Sequence, residues 1–504
     1  MSGSKQIKWG AILSYLSIAI NIVAGLVYTP WMVEQIGKAD YGLYTLANSL
    51  ITLFIVDFGL GPAVSRYVSK YRAEGRQDKV DNFLGAIYKL YLIIDAVIFV
   101  GLLIVYFFLD SIYVNLTPEE LEKFKVVYLV AAAFAVVNFP FVTFNGILTA
   151  YEKFIQLKIA DVIYRLLLVG ITVVALLLGY GLYSLVLVHA LVGILVIVYK
   201  FIVIGKTLPL RVNFKYNEKS LYKDIFSFSL WVTISTLAQR LIFNITPSIL
   251  GIVASSAAIA IFGIVTTLEG YTYTLTSAIN GIFMPRIARI YEGESANKNI
   301  MPLFLGVGKF QYALNGLIIA GFTVLGQNFI NLWMGAEYID AYYGIVLVTV
   351  PGLFFNSLQI ANTAMIMEKK VNIQAIVNVS VGLINVVLSL VFSSIFGVIG
   401  ACISIFVAYM VRAIALNIIY HRVMKFDIPS FIKNCYVRMA PPIVLTIGFG
   451  FLINYLVGDS GWLLFLAKAV AVCLVYLILI ILIGLNKNEK RKVLGLLNRK
   501  RKEV

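Results

Sequence analysis

The stretch DFGLGPAVSRYVSKYRAEGRQDK (Asp57–Lys79) follows a run of mostly apolar residues and interrupts it abruptly. It begins with an acidic residue, continues with Gly59, Gly61 and Pro62, and then supplies five basic residues. Glycine and proline end or kink helices, and lysine and arginine concentrate at the cytoplasmic ends of membrane spans. We therefore interpret this stretch as the inner end of a membrane-spanning helix, with Asp57 at membrane depth and a break that serves as a flexing point.

The composition of the whole chain predicts a membrane protein. Of its 504 residues, 61% are hydrophobic and 13% are charged, whereas soluble domains have about 45–50% and about 25%. A transmembrane helix needs about 20 predominantly apolar residues, and such runs follow one another along almost the entire chain. The predicted fold class is an all-α polytopic membrane protein with about 14 transmembrane helices. The predicted spans are 10–36, 42–68, 83–109, 124–150, 154–178, 181–204, 224–250, 253–281, 302–332, 342–366, 371–395, 398–420, 439–457 and 462–484.

Lysine and arginine are unevenly distributed between the predicted loops. The loops on one side include GKTLPLRVNFKYNEKSLYK (205–223) and HRVMK (421–425), whereas those on the other side are short and acidic, as in DSIYVNLTPEELEK (110–123). Because positively charged loops stay on the cytoplasmic side, we expect both termini to be cytoplasmic and the chain to lie in the bacterial cytoplasmic (inner) membrane. The net charge of +16 is then a topology signal that favours contact with membrane lipids, and it does not predict nucleic-acid binding.

Several classes of protein are disfavoured by the sequence. The three cysteines and two histidines show no spacing typical of a metal or redox site, so no metal site and no cofactor are predicted. IGKT (204–207) carries only half of a phosphate-loop pattern, and the short outer loops leave no room for a catalytic domain, so we do not expect an enzyme. The first apolar run is too long for a signal peptide and no cleavage site follows it, so we expect an uncleaved first span.

Motifs of the first half recur in the same order in the second half. The matching pairs are GPAVSRY with MPRIARI (Arg66 and Arg289), YTPWMV with ITPSIL (Pro30 and Pro247), and NGILTAYEK with NTAMIMEK (Asn145 and Asn362). The break near Gly59 then has a predicted counterpart at Gly281 and Pro285. Parallel repeats of this kind place the substrate site of a transporter at their interface. The predicted domains are an N-terminal six-helix lobe (1–204), a basic cytoplasmic linker (205–223), a C-terminal six-helix lobe (224–420), and two additional helices with a basic tail (421–504).

Polar residues recur at helical spacing inside the predicted spans. Ionisable groups at membrane depth are costly and usually face a cavity or a partner, so such stripes predict a hydrated lumen between the lobes. The lumen candidates for binding substrate are Arg240, Asn21, Asn48, Asn244, Tyr273, Asn280, Asn145 and Asn362. The alternative for the asparagine and serine stripes is hydrogen bonding between helices.

The remaining embedded or flanking charges receive other interpretations. Asp57, Asp95 and Glu269 are candidates for ion coupling, with neutralisation of a nearby arginine as the alternative. Arg66 and Arg289 are candidates for an inner gate or for anchors that reach the lipid headgroups. Asp161 and Arg165 are spaced i, i+4 on one helix, which favours a structural ion pair. Arg412 and Lys468 also count among the embedded charges, with snorkelling towards the membrane surface as the alternative.

The segment GKADYGLYTLANSLITLFIVDFGLGPAVSRYVSKYRAEG (37–75) resembles bacterial polysaccharide-transport proteins. These are lipid-linked oligosaccharide flippases of the O-antigen and capsule type, within the multidrug/oligosaccharidyl-lipid/polysaccharide exporter (MOP) superfamily. The resemblance covers essentially the whole chain and is most specific at DFGLGPAVSRYVSKYRAEG. It implies that an undecaprenyl-pyrophosphate-linked oligosaccharide moves from the inner to the outer leaflet by alternating access. It also implies H⁺ or Na⁺ as candidate coupling ions and polysaccharide polymerase machinery as a candidate partner.

The resemblance also leaves alternatives open. Arg240 matches the cationic lumen of the family best, with Asn21 and Glu269 beside it. The two additional helices resemble those of lipid II flippases, where the pair forms a groove for the polyprenyl tail. Span 2, however, lacks the central arginine cluster that would strengthen that assignment. A multidrug–cation antiporter of the same superfamily is a further alternative, whereas a membrane polymerase would need larger outer loops.

Overall fold

The computed structural model describes most of the chain. The described residues are 3–55, 58–216, 219–291, 296–368, 370–458, 461–487 and 489–491. Side chains are described in these ranges except at 3–17, 219–221, 223–229, 232, 279, 281–282, 284–286, 288–289 and 296–299. Asp57, a predicted coupling residue, therefore lies outside the described residues, and so does the side chain of Arg289.

Across the described ranges the backbone is helical and contains no β-strand. The helices are α1 (Gly3–Ile36), α2 (Lys38–Phe54), α3 (Leu60–Ala73), α4 (Gln77–Ile112), α5 (Pro118–Asn138), α6 (Thr143–Ala150), α7 (Phe154–Leu177), α8 (Gly181–Thr207), α9 (Lys219–Phe243), α10 (Thr246–Val253), α11 (Ser256–Tyr291), α12 (Ala296–Trp333), α13 (Asp340–Asn356), α14 (Gln359–Met367), α15 (Val371–Arg422), α16 (Ile428–Phe431), α17 (Arg438–Val457) and α18 (Gly461–Leu479). Short 3₁₀ turns lie at Phe139–Val142 and Ala336–Tyr338, and wider π turns lie at Ile432–Val437 and Ile480–Gly484.

The predicted spans correspond to these helices. Each span coincides with one helix or with two helices in succession, and the spans 371–395 and 398–420 form the single long helix α15. The backbone of α15 departs from helical geometry at Gly397, where φ is 56° and ψ is −132°. By length and apolar composition, 11 helices among the described residues are able to cross a membrane. The predicted class, an all-α polytopic membrane protein, is confirmed.

The stretch that begins at Asp57 does contain a helix break. Helix α2 ends at Phe54, Phe58 and Gly59 have positive φ values of 49° and 66°, and α3 begins at Leu60. Positive φ suits glycine, because a Cβ atom crowds the following carbonyl in this region. The new helix buries one face, formed by Leu60, Ala63, Val64 and Val68, and its opposite face carries the basic residues.

The predicted counterpart of this break is not observed. Helix α11 continues without interruption from Ser256 to Tyr291, through both Gly281 and Pro285. In the first spans of the two repeats the break lies in the second half of the sequence instead. Pro30 lies inside the continuous helix α1, whereas Pro247 follows a break and occupies the first turn of α10. The two halves of the sequence therefore carry matching motifs, but each half breaks a different one of its first two spans.

The chain forms two compact units. The first unit comprises Met1–Gly263 and Asn378–Ala401, and the second comprises Ile264–Val377 and Cys402–Val504. In the first unit, α7 packs against α1 and α8, α2 packs against α5, and α3 packs against α6. The predicted lobe boundaries stay a prediction, because these units are defined by packing and not by the sequence repeat.

Helix α12 is central to the second unit and packs against α13, α14, α17 and α18. The rings of Phe304 and Phe431 stack nearly parallel there, with centroids 4.2 Å apart. Gly308 allows this close approach, since a Cβ atom at that position would lie 2.7 Å from the Phe431 ring. Atoms in ordinary van der Waals contact lie about 3.5–4.0 Å apart, so a larger residue at this position would separate the helices.

Candidate functional site

A cluster of polar side chains surrounds Arg165 in the first unit. Helix α7 carries Arg165 midway along its length, and the guanidinium Nη2 makes a long contact of 3.5 Å with the Asn21 carbonyl of α1. Tyr28, Tyr44 and Tyr164 interact electrostatically with the same guanidinium. We call these five residues the Arg165 cluster. It brings one cation, one amide residue and three phenol hydroxyls together from α1, α2 and α7.

The ion pair predicted between Asp161 and Arg165 is not observed, and this prediction is wrong. Asp161 pairs with Lys158, whose Nζ lies 3.0 Å from Oδ2, and it also interacts electrostatically with Lys200. Both Lys158 (i−3) and Arg165 (i+4) are within reach of Asp161 along one helix face, and the lysine takes the carboxylate. Arg165 therefore contacts the residues of the Arg165 cluster instead of Asp161. Sequence spacing alone did not reveal this cluster.

Arg240 lies near the end of α9, on a helix that asparagine side chains fix to α15. Asn378 donates to Ser235 Oγ at 2.7 Å, and Asn385 donates to the backbone carbonyls of Leu241 and Ile242, both at 3.1 Å. Both asparagines are fully buried. The side chain of Arg240 is partly buried in the same unit, within a stretch that is apolar and long enough to cross a membrane, and its lumen role stays a prediction.

A second cluster surrounds Arg412 in the second unit. The guanidinium is only 1% exposed, and its Cζ lies 4.2 Å from the centre of the Phe355 ring and 5.6 Å from that of Tyr409. Tyr409 also shares a hydrogen bond with Arg412. Glu269 and Tyr273 belong to the same neighbourhood, since both interact electrostatically with Tyr409. We call these five residues the Arg412 cluster.

Arg412 and Lys468 are both buried, which agrees with their count among the embedded charges and not with the alternative of snorkelling. An aromatic face stabilises the Arg412 guanidinium inside the protein, and its Nε is a buried donor without a hydrogen-bond partner among the described residues. Lys468 is 3% exposed, and its ammonium donates to Asn454 Oδ1 at 3.1 Å and to the Gly458 carbonyl. Both cations therefore have internal neighbours, which a hydropathy pattern does not distinguish from headgroup contact.

The polar stripe of α11 leads into a hydrogen-bonded network within the second unit. Thr276 and Asn356 both donate to Asn315 Oδ1, at 3.4 Å and 3.2 Å. Asn315 donates to the Gln311 carbonyl at 2.8 Å, and Gln311 donates to Asn280 Oδ1 at 2.7 Å. Because Asn315 and Gln311 are fully buried, this part of the stripe joins α11, α12 and α13, as expected for polar contacts between membrane helices.

The other predicted lumen residues occupy separate places. Asn48 shares a hydrogen bond with Tyr44 of the Arg165 cluster, and the Asn244 carbonyl accepts from Ser49 Oγ at 2.5 Å. Asn145 accepts from Lys200 at 2.9 Å and is exposed. Asn362 Oδ1 is buried without a hydrogen-bond partner in the described part of the chain.

The remaining charged candidates also lie apart. Asp95 is partly buried in α4, and its Oδ1 has no hydrogen-bond partner among the described residues. Arg66 is exposed at the surface of α3, 6.0 Å from the centre of the Tyr67 ring, and its role as a gate or an anchor stays a prediction. Where side chains are described, no group of three or more His, Cys, Asp or Glu residues is placed to hold a metal ion.

The fold and the embedded polar clusters define a class of protein: a multi-pass helical membrane protein with the fold of MOP-superfamily transporters. A lipid II flippase in an inward closed conformation superposes with a TM-score of 0.73, at 16% identity over 93% of this chain and 97% of that one. An inward-facing multidrug resistance transporter of the superfamily gives a TM-score of 0.65, at 15% identity over 84% and 99%. A MOP-superfamily transporter from Pyrococcus furiosus gives 0.62, at 15% identity over 86% and 97%.

Sequence comparison assigns the chain more narrowly. Residues 7–291 match the pattern described as polysaccharide biosynthesis protein, so the chain belongs to that family. It is also 21% identical, over 427 residues, to an uncharacterized membrane protein of Methanocaldococcus jannaschii. That match covers 81% of this chain and 82% of the relative. The resemblance read from the sequence is thereby confirmed at the level of the family, and the fold is the one that MOP-superfamily transporters share.

Proposed function

We propose that this protein flips a polyprenyl-pyrophosphate-linked oligosaccharide from the inner to the outer leaflet of the cytoplasmic membrane. The movement occurs by alternating access, is coupled to an ion or proton gradient and serves the synthesis of cell-surface polysaccharide. The observation that carries the proposal is the position of Arg165 and Arg412 inside membrane-spanning helices, each beside tyrosine side chains. Membership of the polysaccharide biosynthesis family supports the substrate class.

The chemistry of these clusters suits such a substrate. A sugar and pyrophosphate headgroup cannot enter hydrocarbon unaided, since each unpaired polar group costs several kcal/mol, roughly 2–7 per group. A guanidinium can bind phosphate oxygens through two parallel hydrogen bonds, and tyrosine and asparagine side chains can exchange hydrogen bonds with sugar hydroxyls. The Arg412 cluster reaches the surface of its unit through Tyr273, which is 45% exposed.

Glu269 is the carboxylate that we propose for coupling. It shares the neighbourhood of Tyr273 and Tyr409 with Arg412, so uptake of a proton or Na⁺ changes the net charge of the Arg412 cluster. A ligand or ion shifts a conformational equilibrium when it binds one state better than the other. Loading and release of the coupling ion at Glu269 would then bias the protein between its inward- and outward-open states.

Export of organic cations is a second candidate function, and the observation in its favour is the fold shared with a multidrug resistance transporter. A cationic drug would be attracted by a carboxylate such as Glu269 and repelled by the neighbouring arginine. Within the Arg412 cluster the guanidinium is the more deeply buried charge, which suits an anionic headgroup better than a cation.

Arg240→Ala tests the proposed lumen role directly. We expect this variant to insert and accumulate normally but to lose polysaccharide export, because a cation in a membrane-spanning helix is removed. The measurement is the amount of lipid-linked sugar on the inner leaflet, together with surface polysaccharide, in deletion cells that express each variant. The matched control is Arg76→Ala, which removes an exposed arginine paired with Asp78.

The outcomes separate the two candidate functions. Accumulation of lipid-linked sugar on the inner leaflet of deletion cells supports the flippase. Normal surface polysaccharide with loss of cationic dye efflux supports the antiporter instead. Full complementation by Arg240→Ala contradicts the role of Arg240 in either function.

A further inference from the structure

A basic cleft lies in the first unit, at the end of the bundle that the charge distribution predicts to be cytoplasmic. Its volume is about 450 Å³, and its walls include Arg72, Gln77, Tyr151, Lys153 and Thr207. Small-molecule sites in proteins commonly have volumes of about 300–1,000 Å³. None of the residues that line the cleft belongs to either arginine cluster, and the proposed transport function assigns no role to it.

Arg72 is held in one orientation in this cleft. Its Cζ lies 3.9 Å from the centre of the Tyr151 ring, and its Nη1 donates to the Ala150 carbonyl. Tyr151 in turn donates to Gln77 Oε1 at 3.4 Å. Guanidinium has five N–H donors, so stacking and a single backbone bond fix its plane while other donors remain for a ligand. A fixed guanidinium plane is the arrangement that binds phosphate bidentately.

The second cation of the cleft is Lys153. Its backbone ends the turn after α6 by donating to the Leu148 carbonyl at 2.8 Å, but its ammonium has no hydrogen-bond or ion-pair partner within the described residues. The side chain is nonetheless partly buried. A partly buried ammonium beside a stacked guanidinium produces a positive potential that attracts anions into the cleft.

Two carboxylates near the cleft, Asp81 and Glu74, contact other groups, and Glu152 is exposed and does not line the cleft. Asp81 accepts from Gln77 Nε2 at 3.1 Å and from the backbone N–H of Arg211 at 3.0 Å. Glu74 lies 4.0 Å from Lys70, on the preceding turn of the chain. Neither Asp81 nor Glu74 lines the cleft. Among the described residues that do line it, the charged side chains are Arg72 and Lys153.

We infer that the basic cleft binds a phosphate group, carried either by an anionic lipid headgroup or by a soluble phosphate compound. The stacked guanidinium of Arg72 takes two phosphate oxygens, and the Lys153 ammonium takes a third. The inference rests on this geometry and does not depend on the transport function proposed above.

The test uses the full chain with two probes. Inorganic pyrophosphate is titrated against the detergent-purified protein, and retained phosphatidylglycerol is measured by native mass spectrometry after reconstitution in mixed phosphatidylglycerol–phosphatidylcholine nanodiscs. We expect Lys153→Gln to weaken binding of at least one probe by about tenfold, since a hydrogen bond to a charged group contributes enough for such a change. Arg72→Gln should weaken it at least as much.

Lys70→Ala is the matched control, because it removes a lysine of α3 that does not line the cleft. Lys153→Gln removes no hydrogen bond or ion pair of the described residues and keeps a side chain of similar length, so its thermal unfolding should match that of the wild type and keep the test independent of folding. Weakened binding of pyrophosphate alone identifies a soluble phosphate compound, and weakened retention of phosphatidylglycerol identifies a lipid headgroup. If neither probe binds, or if Lys153→Gln binds both as tightly as the wild type, the inference is wrong.

Discussion

The two arginine clusters stabilise an embedded cation in different ways. Arg412 is 1% exposed and lies over the faces of Phe355 and Tyr409, whereas Arg165 is only partly buried and reaches a backbone carbonyl. A buried charge without a close ion pair is expensive, and each arginine has a buried Nε without a hydrogen-bond partner among the described residues. The cost is larger for Arg412, because its whole side chain is buried. We therefore expect the Arg412 charge to lower stability more than the Arg165 charge does, and the Arg165 side chain remains partly exposed.

The largest expected effect is at Arg412. In Arg412→Met we expect thermal stability to equal or exceed that of the wild type, because an apolar side chain of similar size needs no desolvated charge. Export should fall by about 10- to 100-fold, the loss expected for one or two hydrogen bonds to a charged group. The measurements are thermal unfolding of the purified protein and the accumulation of lipid-linked sugar on the inner leaflet.

The comparison variant is Tyr409→Phe, which removes the hydroxyl that hydrogen-bonds Arg412 but keeps the aromatic face and the cation, so its loss of export should be smaller than that of Arg412→Met. Its export should stay within a few-fold of the wild type. A variant Arg412→Met that exports normally, or one that fails to fold, would reverse the comparison, because Arg412 would then be either dispensable or structural.

At Arg165 we expect a smaller loss of export, about tenfold in Arg165→Met. Its free energy of unfolding should change by less than about 0.5 kcal/mol, since no close ion pair is lost. The matched variant is Lys158→Ala, which removes the observed partner of Asp161. A partly exposed pair of this kind contributes about 0.2–1 kcal/mol to folding stability. Because the protein stays folded and Arg165 is unchanged, export should remain normal. If Arg165→Met and Lys158→Ala changed export equally, the prediction that Arg165 acts separately from the Lys158–Asp161 pair would be wrong.

The smallest effect concerns the helix breaks that distinguish the two halves. Gly59→Ala places a Cβ at φ 66° and should destabilise the protein by about 1–2 kcal/mol. Gly281→Ala lies within the continuous helix α11 and should be neutral or stabilising by up to about 1 kcal/mol. Thermal unfolding of both variants checks this difference, and equal destabilisation would indicate that the second half also needs a flexible residue there.

Much of the fold could be predicted from the sequence, because the bilayer imposes simple rules on length and hydrophobicity. Apolar runs located the helices, and glycine near position 59 located a real break. The failure at Gly281 has a physical cause. Glycine and proline permit a break but do not require one, and the long helix α11 maintains a helical path through both residues.

The candidate site was predicted less well. Sequence spacing paired Asp161 with the arginine at i+4, although a lysine at i−3 competes on the same helix face and takes the carboxylate. For Arg412 the sequence left snorkelling open as an alternative, because hydropathy does not report an aromatic partner such as Phe355, which is distant in the sequence. The observation that could have drawn attention to Arg412 is Tyr409, three residues earlier and on the same helix face.

The asparagine contacts between α9 and α15 have a mechanical consequence. Asn378 and Asn385 are seven residues apart, and both engage α9 at the same time. Sliding one helix past the other by a single turn, about 5.4 Å, would strip both amides of their partners at once. These contacts fix the register between the two helix segments. A large movement of either segment is therefore expected to carry Arg240 and the first half of α15 together.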